Sequence, residues 1–333
     1  MFKYFILLIT ASLLLVSCTT PQTQNQYKYN EGEIFGTYYH IQYQYKKDIQ
    51  KEIQESLIAV DLSLSTYKPQ SVLSQINQNK DIELDSYFLN VFNRAQEISK
   101  QTHGAFDMTV ASLVNAWGFG FRESVFPDSS RIDSLMQYVG YKNIELRNGK
   151  IFKSNPNIMI DASAIAKGYG VDIVAELFNS KNINNYLIEI GGEIRLKGES
   201  SKKKNWTIGI DKPIDNSYDT NNEIQEIISL NKGAIATSGD YRQFYYKNGK
   251  KYSHSINPKT GYPVAHNVLS STVYTTDCAS ADAYATSFMV MELDSTKAFS
   301  LQHPDLGIYI IYALDSTKNK VWMNDKFKNL ILE

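Results

Sequence analysis

The run Tyr252-Ser253-His254-Ser255-Ile256-Asn257-Pro258-Lys259-Thr260-Gly261-Tyr262-Pro263, followed shortly by Ala281-Asp282-Ala283-Tyr284-Ala285-Thr286, carries the most information in this chain. The first segment closes in a Pro-x-x-Gly-x-Pro turn, whose two prolines and glycine restrict its shape. A histidine and an asparagine stand just ahead of that turn. The second segment places a carboxylate and a hydroxyl four residues apart, so on a helix they share one face. An ionisable loop beside a helix offering two hard oxygen ligands is what Mg²⁺-dependent phosphate chemistry requires. The pair of segments points to an enzyme.

Outward from these segments, the N-terminus suggests an address. Lys3 is the only charge ahead of an apolar run from Phe5 to Val16, which closes in Leu15-Val16-Ser17-Cys18. The run is shorter than the roughly 20 apolar residues a spanning helix takes, and it fits the core of a signal peptide. Small residues ahead of a cysteine resemble the lipobox of bacterial lipoproteins, in which the cysteine is lipidated and becomes the new N-terminus. The polar segment Thr19 to Gln26 cannot form a core and reads as a tether. The expected organisation is a signal peptide over 1–17, lipidation at Cys18, a flexible tether over 18–32 and one domain over 33–333. The expected location is the bacterial cell envelope, with the protein lipid-anchored and facing the periplasm.

About 300 residues remain, enough for one large domain or two closely packed lobes. With 34 basic and 35 acidic residues, the chain lacks the electrostatic footprint of a nucleic-acid binder. Acylation of Cys18 would leave Cys278 without a partner, so no intramolecular disulfide is expected and stability must come from the core.

Alternation from Gly36 to Tyr43 predicts a strand, and apolar spacing from Ile49 to Leu64 predicts a helix. A polar stretch over Ser65 to Lys80, with Pro69 as a breaker, precedes a second amphipathic helix from Phe88 to Thr102 that Gly104 ends. Asn157 to Ile160 reads as a short buried strand leading into Asp161, and Ala164 to Ser180 as a helix. Strands are predicted at Tyr186–Ile190, Glu193–Lys197, Trp206–Ile210, Glu226–Leu230, Ala234–Thr237, Ser270–Thr275 and Leu306–Tyr312. Ser280 to Met291 reads as a helix, and the chain from Val321 as a closing strand or hairpin. Strands come in runs interrupted by helices, without regular alternation. This favours an α+β fold, a mixed or antiparallel sheet flanked by helices in one compact, two-lobed domain.

Walker and Rossmann glycine signatures are absent, as are H-E-x-x-H, C-x-x-C and G-x-S-x-G. What remains is oxygen ligands and glycines. Asp161-Ala162-Ser163-Ala164-Ile165-Ala166-Lys167-Gly168 runs from a strand end into a helix start, where free amides favour anions and an open carbonyl could ligate a cation. Lys167 could meet a phosphate or pair with Asp161; a capped helix with a solvated lysine is the plainer reading. Asp282 is either half of a metal pair with Thr286 or an acid stabilised by the helix dipole. His254 is a candidate general base, since imidazole exchanges a proton near neutral pH. Gly104-Ala105-Phe106-Asp107 and Trp117-Gly118-Phe119-Gly120 offer aromatic surface for a flavin or adenine ring, or simply core packing.

Together these segments resemble the ApbE family of flavinyl transferases, the FAD:protein FMN transferases. The matching pieces run in family order: Gly36-Thr37, Leu64 to Tyr67, Gly104 to Asp107, Trp117 to Gly120, Asp161 to Gly168, Glu189-Ile190-Gly191-Gly192-Glu193, Ala236-Thr237-Ser238-Gly239, His254 to Pro263 and Asp282 to Thr286. The resemblance covers nearly the whole mature chain. It implies Mg²⁺, FAD as substrate, and transfer of FMN to a Thr or Ser hydroxyl of a partner protein with release of AMP. By the same resemblance, the flavin nucleotide contacts Phe35, Tyr67, Ala105, Phe106, Asp107, Asp161, Lys167 and Ile256. The metal sits on Asp282, Thr286 and the Ala164 carbonyl. Members carry Met in place of Phe35 and either Lys or Glu at Lys167. The implied partners are flavin-acceptor subunits of membrane redox complexes, of the Na⁺-translocating NADH:quinone oxidoreductase or Rnf type. Two alternatives share much of the site: an FAD-binding lipoprotein without transfer, and an FAD pyrophosphatase without a protein acceptor. The first could dispense with Asp282, Thr286 and His254; all three are present.

Overall fold

Spatial order in the main sheet follows chain order, and every neighbouring pair in it is antiparallel. The computed structural model describes residues 26–120, 126–214, 223–240, 244–247, 249–315 and 318–332. The chain runs through β1 (Gln26–Ile34), β2 (Thr37–Tyr45), α1 (Gln50–Leu64), α2 (Val72–Asn77), α3 (Ser86–Gln101), α4 (Ala111–Ala116) and α5 (Ser129–Met136). Next come the hairpin β3 (Ile144–Arg147) and β4 (Lys150–Lys153), then α6 (Ala166–Ser180), β5 (Tyr186–Ile190) and β6 (Glu193–Lys197). Hairpin β7 (Trp206–Asp211) and β8 (Ile224–Leu230) precedes β9 (Lys232–Gly239), and hairpin β10 (Phe244–Lys247) and β11 (Lys250–Ser253) precedes β12 (Val268–Thr275). The chain ends with α7 (Cys278–Val290), α8 (Leu293–Gln302), β13 (Gly307–Ala313), β14 (Asn319–Met323) and α9 (Asp325–Lys328). The sheet order is β1-β2-β5-β6-β9-β12-β13-β14. The α+β expectation is met, with an antiparallel sheet.

Period-two alternation divides the core between the two faces of this sheet. Along β9, Ala234 and Ala236 face the helices while Ile235 faces the opposite layer. Along β13, Ile308 and Ile310 face the helical side while Tyr309 and Ile311 join the other. On the helical side, Ile53 and Leu57 of α1 and Val171, Val174 and Phe178 of α6 pack on Tyr43, Tyr186 and Ile188. The far face is covered by hairpin β7–β8 and by Phe327 of α9. The alanines on β9 are small because α7 lies directly over them.

Three expectations are corrected. The tether predicted over 18–32 does not reach that far: Gln26–Ile34 is the edge strand of the sheet, paired residue by residue with β2. It is anchored by the side chain of buried Asn30, which donates to Asp48 at 3.1 Å. Residues 1–25, including Cys18, lie outside the described residues. The strand predicted at Asn157–Ile160 is absent. Ile158 and Ile160 are fully buried as expected, but the Asn77 side chain supplies both bonds to the Ile160 backbone, each at 2.8 Å, in place of a strand neighbour. That asparagine belongs to α2, a helix inside the stretch read as merely polar, which the Ser71 hydroxyl caps by accepting from the Ser74 amide at 3.0 Å.

Gly168 marks the closest approach of α6 to α7. A Cβ there would stand 2.3 Å from the Cys278 carbonyl oxygen and 2.9 Å from the Ala279 nitrogen, both backbone atoms that cannot swing aside. Alanine gains at most about 1 kcal/mol of helix propensity, whereas overpacking costs about 1–3 kcal/mol. Gly168→Ala should therefore be net destabilising in denaturant melts. A variant more stable than the parent would show that the helices do not need this contact.

Candidate functional site

The crossing of α6 and α7 brings the oxygen ligands together. Asp282 is buried in α7, and its Oδ2 accepts the Gly168 amide at 3.1 Å. Thr286 lies one turn further on the same face, and its hydroxyl is 3.2 Å from that of Ser238 on β9. The Gly168 amide, four residues after Ala164, is thus directed at Asp282. Among the described residues the Ala164 carbonyl accepts no hydrogen bond. The three donors named from sequence are a carboxylate, a hydroxyl and a carbonyl, all hard oxygens suited to Mg²⁺. No cluster of three or more His, Cys, Asp or Glu side chains forms among the described residues.

Lys167, one residue before Gly168, points its ammonium at Glu193 Oε1, 2.7 Å away. Glu193 opens β6 and is only 3% exposed; its other oxygen, Oε2, is buried without a partner. Burial pushes the Glu193 carboxyl up to about 7, with Lys167 opposing and Asp282 adding to the rise. Burial likewise raises the Asp282 carboxyl, against the pull of Lys167 and the Gly168 amide. Burial would lower the Lys167 ammonium, but the charges of Asp282 and Glu193 outweigh it and hold the proton more firmly. Two carboxylates thus share one lysine in a buried place. With both ionised the cluster carries excess negative charge, which a proton or a bound cation would relieve.

The loop ahead of α6 is tied to its neighbours. Asp161 Oδ1 accepts from the amide and hydroxyl of Ser163, and the Asp161 amide donates to the Met108 carbonyl at 2.8 Å. Tyr67 is 70% exposed on the adjoining loop. Its phenol is raised by partial burial and then by the charge of Asp161. Asp107 is fully engaged: Oδ1 accepts from the Thr109 amide (2.8 Å) and hydroxyl (2.6 Å), and Oδ2 from the Tyr141 amide (2.7 Å). Ala105 and Phe106 are buried beside it. Phe35 sits with positive φ in the two-residue turn between β1 and β2, ahead of Gly36, also at positive φ. Its ring covers Gly170, one turn beyond Lys167.

His254 follows β11 and is half-buried, its ring edge-on to Phe119 at 6.4 Å. Ser255 anchors this loop by donating to Asp240 Oδ1 at 2.7 Å. The Pro-x-x-Gly-x-Pro turn is locked as its sequence predicts: the Gly261 amide donates to Asn257 O (2.8 Å), and the Asn257 amide to Tyr262 O (2.9 Å). The Trp117 indole donates to Gly261 O at 2.8 Å, and Ile256 packs in the same apolar cluster. The end of β9 joins the two halves. Ser238 touches Thr286, and Asp240, two residues on, holds the histidine loop.

Asp282 and Lys167 lie at the α6–α7 crossing, with Thr286 one turn along α7 and Ala164 four residues before Gly168. Asp161 is on the loop that leads into α6, and Tyr67 lies on a separate loop, between α1 and α2. Glu193 and Ser238 stood within matching segments of the sequence without an assigned role, and Asp240 was not singled out. Glu193 was visible as the one acid of an alternating strand, opening it directly after two glycines.

A family model described as "ApbE family" matches residues 35–310. The chain belongs to the ApbE family. Its relatives include the FAD:protein FMN transferase of Vibrio cholerae, 39% identical over 300 residues, covering 87% of this chain and 88% of that protein. The FAD:protein FMN transferase of Haemophilus influenzae is 35% identical over 328 residues, covering 93% of each. Among solved structures, the flavin transferase ApbE from Vibrio cholerae superposes with a TM-score of 0.82 at 35% identity, covering 92% of this chain and 99% of that one. The ApbE protein of Thermotoga maritima gives a TM-score of 0.81 at 27% identity, covering 92% of this chain and 100% of that one.

The buried charges of this ApbE site make stability depend on pH. Glu193 binds its proton more tightly in the folded state, at about 7, than at its ordinary value of 4.5. Its contribution is therefore fully present below about pH 4.5 and is lost as pH rises through about 7. Glu193→Gln is neutral throughout and lacks that loss. In chelator, the melting temperature of the parent should fall relative to Glu193→Gln between pH 5 and 8. Parallel curves would contradict the assignment.

Proposed function

We propose that this ApbE-family protein is an FAD:protein FMN transferase that uses Mg²⁺ to move FMN from FAD onto a Thr or Ser hydroxyl of an acceptor protein, releasing AMP. The observation that carries the reading is the buried end of the α6–α7 crossing. There Asp282 accepts the Gly168 amide, Thr286 lies one turn along the same helix face, and the Ala164 carbonyl, four residues before Gly168, accepts no hydrogen bond among the described residues. Those three residues would hold the cation. When bound, Mg²⁺ neutralises the pyrophosphate and the charge developing on the leaving AMP.

The chain's own groups do the rest. Tyr67 offers an exposed ring for stacking the flavin. Asp107 has both oxygens committed to its own loop, so contacts from Ala105 to Asp107 come from the backbone. Phe35, Asp161 and Ile256 shape the remaining walls. His254, held on its loop by Ser255 and Asp240, accepts the proton of the acceptor hydroxyl as that oxygen attacks the FMN phosphorus. The anhydride bond breaks, and its bridging oxygen leaves with AMP.

The test is incubation with FAD, Mg²⁺ and an acceptor domain, read by intact mass. Asp282→Ala should abolish transfer. Asp277→Ala should lose about 1 kcal/mol of stability through its helix cap and keep transfer. His254→Ala should bind FAD within a few-fold of the parent and transfer roughly 10²–10⁴ times more slowly. Free FMN without acceptor modification would instead identify an FAD pyrophosphatase, and an inert Asp282→Ala change would remove the metal assignment.

The acceptors we propose are subunits of sodium-pumping or Rnf-type membrane redox complexes, reached from a lipid anchor at Cys18 on the periplasmic side. The signal-like run before Cys18 supports this reading, and no described helix is long and apolar enough to cross a membrane. Cys18→Ala should shift the protein from membrane to soluble fractions; unchanged membrane association would refute anchoring there.

A further inference from the structure

Lys167 has two buried carboxylates within its electrostatic reach and pairs with only one. The charge of Asp282 acts on the Lys167 ammonium as that of Glu193 does, yet the ion pair the lysine makes is with Glu193, at 2.7 Å. Among the described residues no ion pair joins Lys167 to Asp282. The geometry explains the choice. Lys167 and Glu193 face one another between the first turn of α6 and the first residue of β6, while Asp282 is turned to the Gly168 amide. An ammonium free to move would find Asp282 the nearest alternative partner, and would occupy the carboxylate that the cation needs.

We propose that Glu193 is a positioning residue that holds Lys167 away from Asp282, keeping that carboxylate open to the divalent cation. The proposal rests on the metal assignment made above and goes beyond it by giving Glu193 a role. Glu193 suits the task on three counts. It is buried, so its attraction for Lys167 is weakly screened. It lies on a strand of the central sheet, which fixes its position. One oxygen is engaged by Lys167 and the other has no partner, so no competing protein donor draws the carboxylate away. Outer groups that orient metal ligands typically cost 10–100-fold in affinity when changed, and that range sets the expected effect.

The test is Mn²⁺ binding to the full mature chain, measured by electron paramagnetic resonance of the free ion and by calorimetry, without FAD. Glu193→Gln keeps shape and removes the charge, and should weaken Mn²⁺ binding 10–100-fold. Adding Lys167→Met removes the competing ammonium and should restore affinity to within a few-fold of the parent. A structural defect at Glu193 would not be repaired by that second change. Glu193→Gln binding Mn²⁺ as the parent does overturns the proposal and leaves the metal assignment standing. A weakened Glu193→Gln that Lys167→Met fails to rescue also overturns it. Asp282→Ala binding Mn²⁺ normally would sink the metal assignment itself, and this role with it.

Discussion

The contact between α6 and α7 is the constraint on which this structure depends. Two groups on α6 hold α7 in place. Asp172 Oδ1 accepts the Cys278 amide at 2.9 Å and the Arg195 guanidinium at 2.6 Å, while Oδ2 accepts the Ala279 amide at 2.9 Å. One carboxylate of α6 thus satisfies two of the free amides at the start of α7, which would otherwise be buried without partners. One turn earlier, Gly168 lets the backbones touch and sends its own amide to Asp282. Register along both helices is therefore fixed by hydrogen bonds as well as by apolar packing. The site inherits that register, because Lys167, Gly168 and Asp282 are parts of the same contact.

This arrangement is costly in isolation. Burial raises the Asp172 carboxyl to about 6 despite Arg195 beside it, and the same cause raises Asp282 and Glu193. Ionised groups taken from water lose several kcal/mol each unless geometry and hydrogen bonds compensate. Asp172 is compensated within the protein by one guanidinium and two amides. The pair Asp282 and Glu193 is not: one ammonium serves both, and one oxygen of Glu193 is left over. The difference separates a carboxylate whose charge the protein itself satisfies from two whose charge it does not. A fold that needed only stability would replace the second pair with apolar side chains of similar volume.

Much of this was legible before the coordinates, for identifiable reasons. Asp282 and Thr286 share a face because helical spacing demands it, and the Asn257–Gly261 turn closes as its prolines and glycine require. The predicted strands Tyr186–Ile190 and Glu193–Lys197 alternate strongly and are found where expected. Features set by distant partners were not legible. Ile158 and Ile160 are apolar enough for a strand, but the Asn77 side chain, some 80 residues earlier, takes the Ile160 backbone and Lys153 the Ile158 carbonyl. Tyr27 to Gly32 looked like a continuation of a polar tether, and only pairing with β2 reveals an edge strand. Glu193 stood in a matching segment, but its role was not legible, because burial and a lysine on another element define its character.

The end of β9 shows why the acid and base halves of the site can cooperate although they lie on different supports. Thr237 pairs with Thr272 through their hydroxyls at 2.9 Å, stitching β9 to β12 just before the strand ends. Ser238 then meets Thr286, and Asp240 accepts from Ser255 beside His254. The spacing between Thr286 on α7 and the histidine loop is therefore carried by Ser238 to Asp240, at the end of one central strand. β9 is paired with both β6 and β12 as far as Ile235, and its end, Ala236 to Gly239, is held by β12. A loop supported only by its own turn would have no such ruler. His254 thus sits on a loop whose placement relative to the buried charges of α7 is set through the end of β9.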